Sequence, residues 1–205
     1  MKKFINLTMV CFVVAVVCYS VSLLNDRKCL DQQLIRLHVV ANSNTEEDQN
    51  IKLKVRDRVL KYMETTMDES WGVEHAKEYL QGHLQNIQMV VNDFLAEQNS
   101  DDRATVSLGK QPFGIRDYDT FSLPSGVYES LKITIGNGEG INWWCVAFPR
   151  LCLPAVNSSF EDTAADAGLS EPLIPTLKQE NGYEIRFFLL DIMGKIENFF
   201  FQIRN

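Results

Sequence analysis

The sequence predicts an α+β fold, an antiparallel sheet packed on helices and preceded by an apolar N-terminal helix. Three observations predict it. Residues Phe4 to Leu24 form an uncharged run of 21 residues between Lys2-Lys3 and Asp26-Arg27-Lys28. Apolar residues then recur at helical spacing between residues 46 and 95. From Arg103 onward the period falls to two, with Gly and Pro punctuation between short runs.

The first run has about the ~20 residues that a helix needs to cross a bilayer. It is either a long secretory signal or a retained anchor; cleaved signals have apolar cores of only ~7–15 residues, which favours the anchor. Small residues at Cys18, Ser20 and Ser22 leave a cleavage site open, while neither Cys18 nor Cys29 sits in a lipid-attachment box. The flanking basic residues balance, and the amino terminus tips the short end toward the cytoplasm. Residues 1–29 are thus read as signal peptide or anchor and residues 30–154 as an exported α+β domain. Residues 155–182 read as an acidic loop, and residues 183–205 as a C-terminal helix covering the sheet.

Charge agrees with export and excludes some partners. The chain carries a net charge of −7, and residues 1–29 hold Lys2, Lys3, Arg27 and Lys28 against Asp26 alone. The remainder, with 16 basic and 26 acidic side chains, has a net charge of −10. Nucleic acid and anionic lipid surfaces are poor partners for such a charge balance, because both are bound chiefly through Lys and Arg.

Leu34 to Val40 reads as a strand, turning at Ala41-Asn42-Ser43-Asn44. Ser43 and Glu46 then form a capping-box pattern, with Thr45 and Asp48 as a second frame. Ile51, Val55, Val59 and Met63 make one apolar stripe, leaving Lys52, Lys54, Arg56, Arg58 and Lys61 mostly on the wet side. A second helix runs from Ala76 to Leu95, with His83 on its apolar face as a hydrogen-bonded boundary residue and His75 in water. Successive strands are expected at Ala104 to Leu108, Asp117 to Leu123, Tyr128 to Ile135 and Asn142 to Phe148, and short connections imply antiparallel neighbours. In the tail, Ile185, Leu189, Ile192, Ile196, Phe199 and Ile203 form a helical stripe, widened by Phe187, Phe188, Phe200 and Phe201 and interrupted by Gly194. It is expected to cover the sheet, with a second membrane-surface contact as the alternative that dense Phe favours and scarce basic residues disfavour.

The densest segment is Gly136-Asn137-Gly138-Glu139-Gly140 followed by Ile141 to Cys152, which holds Trp143, Trp144, Phe148 and two Cys. A phosphate-cradling loop needs a helix after the glycines, and β-formers follow instead. The glycines are therefore assigned the positive φ angles of a hairpin. The spacing of Cys145 and Cys152 is too long for a zinc knuckle and no second pair exists, so no metal site is expected. Export favours a bridge between Cys145 and Cys152, but a straight strand would hold them more than ~20 Å apart, so Pro149 must turn the chain for one to form. A bridge or two buried thiols both fit.

Catalytic machinery is not evident. No Gly-x-Ser-x-Gly elbow, His-Glu-x-x-His or Walker loop occurs. Asp117 and Asp119 share a strand face without a partner acid, base or metal, and a Cys145–His38 hydrolase carries almost no specificity. The sequence is read as a non-enzyme without cofactor, metal or small-molecule substrate. An exported envelope hydrolase and a membrane-anchored scaffold are the alternatives, the first marked by a buried acid beside a deep cleft.

Arg36-Leu37-His38-Val39-Val40-Ala41-Asn42-Ser43, Asp48-Gln49, Leu53 to Leu60, Pro124 to Tyr128 and Gly136 through Cys152 together resemble the stage II sporulation protein R family of endospore-forming bacteria. The resemblance covers roughly Leu34 to Leu153 and departs at Pro149-Arg150, where the family usually has two prolines. It implies a sporulation signal exported across the forespore membrane into the intermembrane space. There such proteins activate a membrane-embedded aspartic protease, which removes the prosequence of the mother-cell sigma factor E. The expected contact surface is the hairpin with the His38 to Ser43 turn: His38, Asn42, Ser43, Glu139, Asn142, Trp143 and Trp144. Strand alternation sends the two Trp to opposite faces, so one can fill the core while the other anchors a partner; burial of both under the C-terminal helix is the equal alternative.

Overall fold

A computed structural model describes residues 2–68, 70–118, 120–149, 160–166, 169, 171, 173–178 and 185–204. The chain opens with α1 (Lys2–Gln33), a single unbroken helix. Its apolar part is exposed, from Phe4 at 72% to Val21 at 51%, and is long and apolar enough to cross a membrane. From Leu23 onward α1 belongs to the domain: Leu23, Asp26, Arg27 and Leu30 are buried. The division expected at residue 29 therefore falls inside this helix.

β1 (Ile35–Val40) follows and is buried along its whole length. Next come α2 (Glu46–Thr66), α3 (Val73–Gly82) and α4 (Leu84–Glu97). The second capping frame is the one used, because Thr45 Oγ1 accepts the Asp48 N–H at 3.3 Å. Ile51, Val55, Val59 and Met63 are buried as the stripe requires, but so is Lys52. The helix expected to run unbroken from Ala76 to Leu95 is interrupted at His83, which closes α3 and opens α4 at φ −116°, ψ 13°. Gly82, a poor helix former, precedes the break. The apolar stripe conceals it, because Leu80 and Ile87 stand two turns apart on one face. His83 Nδ1 lies 2.8 Å from the Tyr79 carbonyl oxygen, and His75 is exposed.

The strands are β2 (Ala104–Phe113), β3 (Arg116–Asp117), β4 (Ser122–Leu123), β5 (Gly126–Ile135) and β6 (Asn142–Phe148). The strand expected over Asp117 to Leu123 is instead the small β3–β4 ladder, and Asp119 lies outside the described residues. The main sheet has the order β2-β5-β1-β6. β1 is parallel to β5, with Leu37 opposite Leu131, and antiparallel to β6, with Leu37 opposite Cys145. β5 and β6 are thus not neighbours, and the glycine-rich segment is a crossover around the end of β1 rather than a hairpin. The physical reason lies in β1, which has no wet face and therefore takes a central position. Gly136 and Gly138 do have positive φ, 55° and 66°.

Helices cover both faces of the sheet. Against α2, α3 and α4 lie Leu37, Val39, Leu131, Ile133, Cys145 and Ala147. The other face packs the end of α1 with three further helices, α5 (Phe160–Asp166), α6 (Leu173–Lys178) and α7 (Ile185–Arg204). Residues 155–182, expected as a loop, therefore contribute core: Phe160, Ala164, Leu173 and Leu177 are buried. Asn157-Ser158-Ser159, which matches the short glycosylation triplet, lies outside the described residues. α7 packs by the face opposite to the expected stripe. Phe187, Leu190, Asp191 and Gly194 turn inward, and Ile185, Ile196, Phe199 and Ile203 are exposed.

Candidate partner-binding surface

The β1–α2 turn and the glycine-rich crossover interlock into one corner. Asn42 Oδ1 accepts the Asn137 N–H at 2.9 Å, and the Asn42 carbonyl accepts the Glu139 N–H at 3.0 Å. The Ala41 carbonyl accepts the Gly140 N–H at 2.9 Å, and Asn44 Oδ1 accepts the Ile141 N–H at 2.7 Å. Lys52 Nζ donates to the Ile141 carbonyl at 2.9 Å and to Gln49 Oε1 at 2.5 Å, which explains why this lysine is inside. Burial, then the nearby Arg56 charge, hold its pKa below the ordinary lysine range. Gly140 is required by proximity: a Cβ there would stand 2.2 Å from the Ser43 carbonyl oxygen.

The residues expected at the surface divide in two. Asn42 is committed to the crossover, and Ser43 Oγ donates to Asp48 Oδ2 at 2.5 Å, so both shape the corner from within. Glu139 is exposed and Asn142 half-buried. Ile141, which periodicity did not single out, is 64% exposed between them.

Trp143 and Trp144 point to opposite sheet faces, and each is half-buried against its own layer. Arg56 of α2 lies over the Trp143 ring, 4.3 Å from its centroid. Trp144 stacks on His38 at 3.8 Å and meets Phe113 edge-on at 4.8 Å, with Arg116 5.1 Å above it. Behind this stack Arg36 is fully buried. Its guanidinium lies 4.0 Å from the Phe113 centroid and 5.1 Å from that of Tyr128, and its Nη2 donates to Tyr118 Oη at 2.6 Å. The cation–aromatic ladder is invisible in the sequence, because its members come from β1, β2, β3, β5, β6 and the segment after β3.

His38 is 5% exposed, and burial pushes its pKa down to about 4, helped by the positive charges of Lys132, Arg36 and Arg116 and opposed by Asn142. A histidine held neutral in the fold takes up its proton only on unfolding once the pH drops below 6.5. Stability is therefore lost as the pH falls from 6.5 toward 4 and is untouched above that window, with a full effect on the order of 3 kcal/mol. Denaturant titrations at both ends should show a His38→Phe chain losing less stability on acidification than the parent. Equal losses would mean that His38 is not the group responsible.

The hydrolase dyad is excluded by geometry. His38 lies opposite Trp144, whereas Cys145 lies opposite Leu37 on the other face and is disulfide-bonded. Cys11 and Cys18 are free thiols, and Cys152 lies outside the described residues. The Phe148–Pro149 peptide is cis. A charged groove between α1, α3 and β5 is lined by Asp31 and Glu129, each paired with a cation: Asp31 with Arg27 at 2.8 Å and Glu129 with Lys77 at 3.0 Å. No group of three or more His, Cys, Asp or Glu side chains that could hold a metal ion occurs among the described residues.

The corner, Arg36 and the crossover all fall within residues 31–158, which match the family model described as stage II sporulation protein R. Over 186 residues the chain is 30% identical to the stage II sporulation protein R of Bacillus subtilis strain 168, covering 82% of this chain and 83% of that protein. No solved structure matches. With the family model spanning more than half of the chain and the relative more than two thirds of it, the chain belongs to the stage II sporulation protein R family, a family of sporulation proteins.

Proposed function

We propose that this chain is an exported signal of sporulation that binds the extracytoplasmic side of a membrane-embedded aspartic protease. Binding activates processing of the mother-cell sigma factor E precursor from the intermembrane space. The observation that carries the reading is the corner itself. The two family-resembling segments, residues 36–43 and 136–145, lie far apart in sequence and lock together, presenting Glu139, Ile141 and Asn142 at the end of β1 remote from α1. The apolar part of α1 supports delivery across or into a membrane. To activate, the corner must bind the active arrangement of the protease more tightly than the inactive one.

The test is precursor processing in cells carrying only the protease, the precursor and this chain, with and without residues 2–20. Ending the deletion there spares Ser22 and the buried Leu23. Processing is expected only with the exported form, and its absence with folded, exported protein would break the proposal. Within that assay, Glu139→Ala with Ile141→Ala should leave stability within about 0.5 kcal/mol of the parent, as exposed sites do, while lowering processing. Full signalling by the folded double variant would remove the corner from the interface.

A further inference from the structure

α7 is apolar on two opposite sides. One side is in the core, as described. At ~100° per residue, Ile185, Ile196, Phe199, Phe200 and Ile203 gather on the other, and they are 73, 53, 60, 64 and 67% exposed. An ordinary surface helix carries polar residues there.

The charges of α7 are sorted in the same way. Both acids turn to the domain: Asp191, 2% exposed, accepts the Ser125 N–H at 2.9 Å, and Glu197 accepts from Arg27 at 2.7 Å and from the Val127 N–H at 3.2 Å. Lys195 and Arg204 stand at the two margins of the exposed apolar face; Lys195 Nζ pairs with Asp191 Oδ2 at 2.7 Å, its side chain still 64% exposed, and Arg204 is exposed. This sorting occurs in an exported part whose net charge is −10.

Position supplies the second argument. Arg186, in the first turn of α7, donates through Nε to Asp26 Oδ2 at 2.7 Å and through Nη2 to Ser22 Oγ at 3.1 Å. α7 therefore starts where the uncharged run of α1 ends. Asp26 and Arg27 are adjacent on α1, yet they engage Arg186 and Glu197, which are about 16 Å apart along α7. The two helices cross at this level.

We infer that the outer face of α7 lies on the bilayer that α1 enters, as an interfacial helix. Its Ile and Phe side chains enter the boundary between headgroups and acyl chains, and Arg204 extends to the headgroups. The inference rests on α1 entering a membrane and is independent of which protein the corner binds. Contact through α1 and α7 together fixes the tilt of the domain and holds the corner at the far end of β1, about 20 Å of strand away.

The test uses the full chain with Cys11, Cys18 and Cys29 replaced by Ser, reconstituted into vesicles of phosphatidylcholine and phosphatidylglycerol. A polarity-sensitive dye is attached at Ile196→Cys, Phe200→Cys or, as a control on α4, Glu97→Cys. All three positions are exposed, so the dye leaves the core intact. Nitroxide-bearing lipids should quench the two α7 dyes about threefold more than the control, and Arg204→Glu should reduce that difference. Quenching at α7 equal to the control overturns the inference. So does shielding of α7 that comes from energy transfer between copies, or shielding that requires the protease in the same vesicle, since each assigns the face to a protein. None of these readouts depends on precursor processing, so the membrane contact can fail while the signalling proposal stands, and the reverse.

Discussion

Arg27→Met is expected to destabilise the domain by about 3–5 kcal/mol, the cost of removing one member of a buried, hydrogen-bonded ion network. Arg27 is 6% exposed on the last third of α1. Its Nη1 donates to the Ser125 carbonyl at 2.8 Å and to Tyr128 Oη at 3.2 Å, and its Nη2 pairs with Asp31 at 2.8 Å and Glu197 at 2.7 Å. One guanidinium thus joins α1, the turn before β5, β5 itself and α7. Methionine keeps much of the volume but leaves two carboxylates and a buried carbonyl without their donor. Denaturation in detergent measures the loss, with Glu197→Gln as the milder comparison because Arg27 then keeps its other partners. A loss below about 1 kcal/mol for Arg27→Met would show that α1 is a tether and not part of the domain.

Gly194→Ala should cost about 2–3 kcal/mol, against the sign given by helix propensity, which favours Ala over Gly by roughly 1 kcal/mol in a helix interior. A Cβ at residue 194 would stand 1.6 Å from the Ser125 carbonyl oxygen and 2.9 Å from the Gly126 nitrogen. Both are backbone atoms, so α7 must move away, and the Asp191 acceptor for the Ser125 N–H moves with it. Thermal or denaturant unfolding decides the sign. A stabilised Ala variant would mean that α7 does not sit against the Pro124 to Gly126 turn.

These two residues show where sequence reading ends. Arg27 reads as a flanking charge at the end of an apolar run, and Gly194 as a weak point in a helix. Each is instead a close contact between segments about 100 and 70 residues apart. The candidate surface divides likewise. His38, Asn42, Ser43, Glu139, Asn142 and the two Trp are legible as a set, because unusual residue types cluster in two short segments. That Asn42 and Ser43 face inward, and that Lys52, Arg56 and Ile141 join the corner, follows only from the interlock.

The sequence by itself determined the apolar span of α1, the Thr45 cap as one of two frames, the apolar stripe of α2, the positive φ of Gly136 and Gly138 and the α+β class. All are local: spacing and residue type act within a few turns of chain. The tertiary structure decided the placement of β1 between β5 and β6, the break at His83, the helices within residues 160–178 and the inward side of α7. Periodicity records which faces of a segment are apolar, but not which neighbour covers them. β1 alternates Ile35, Leu37 and Val39 with Arg36 and His38, yet both of its faces are buried, and α7 is apolar on both sides, so only packing against the rest of the chain could decide their neighbours.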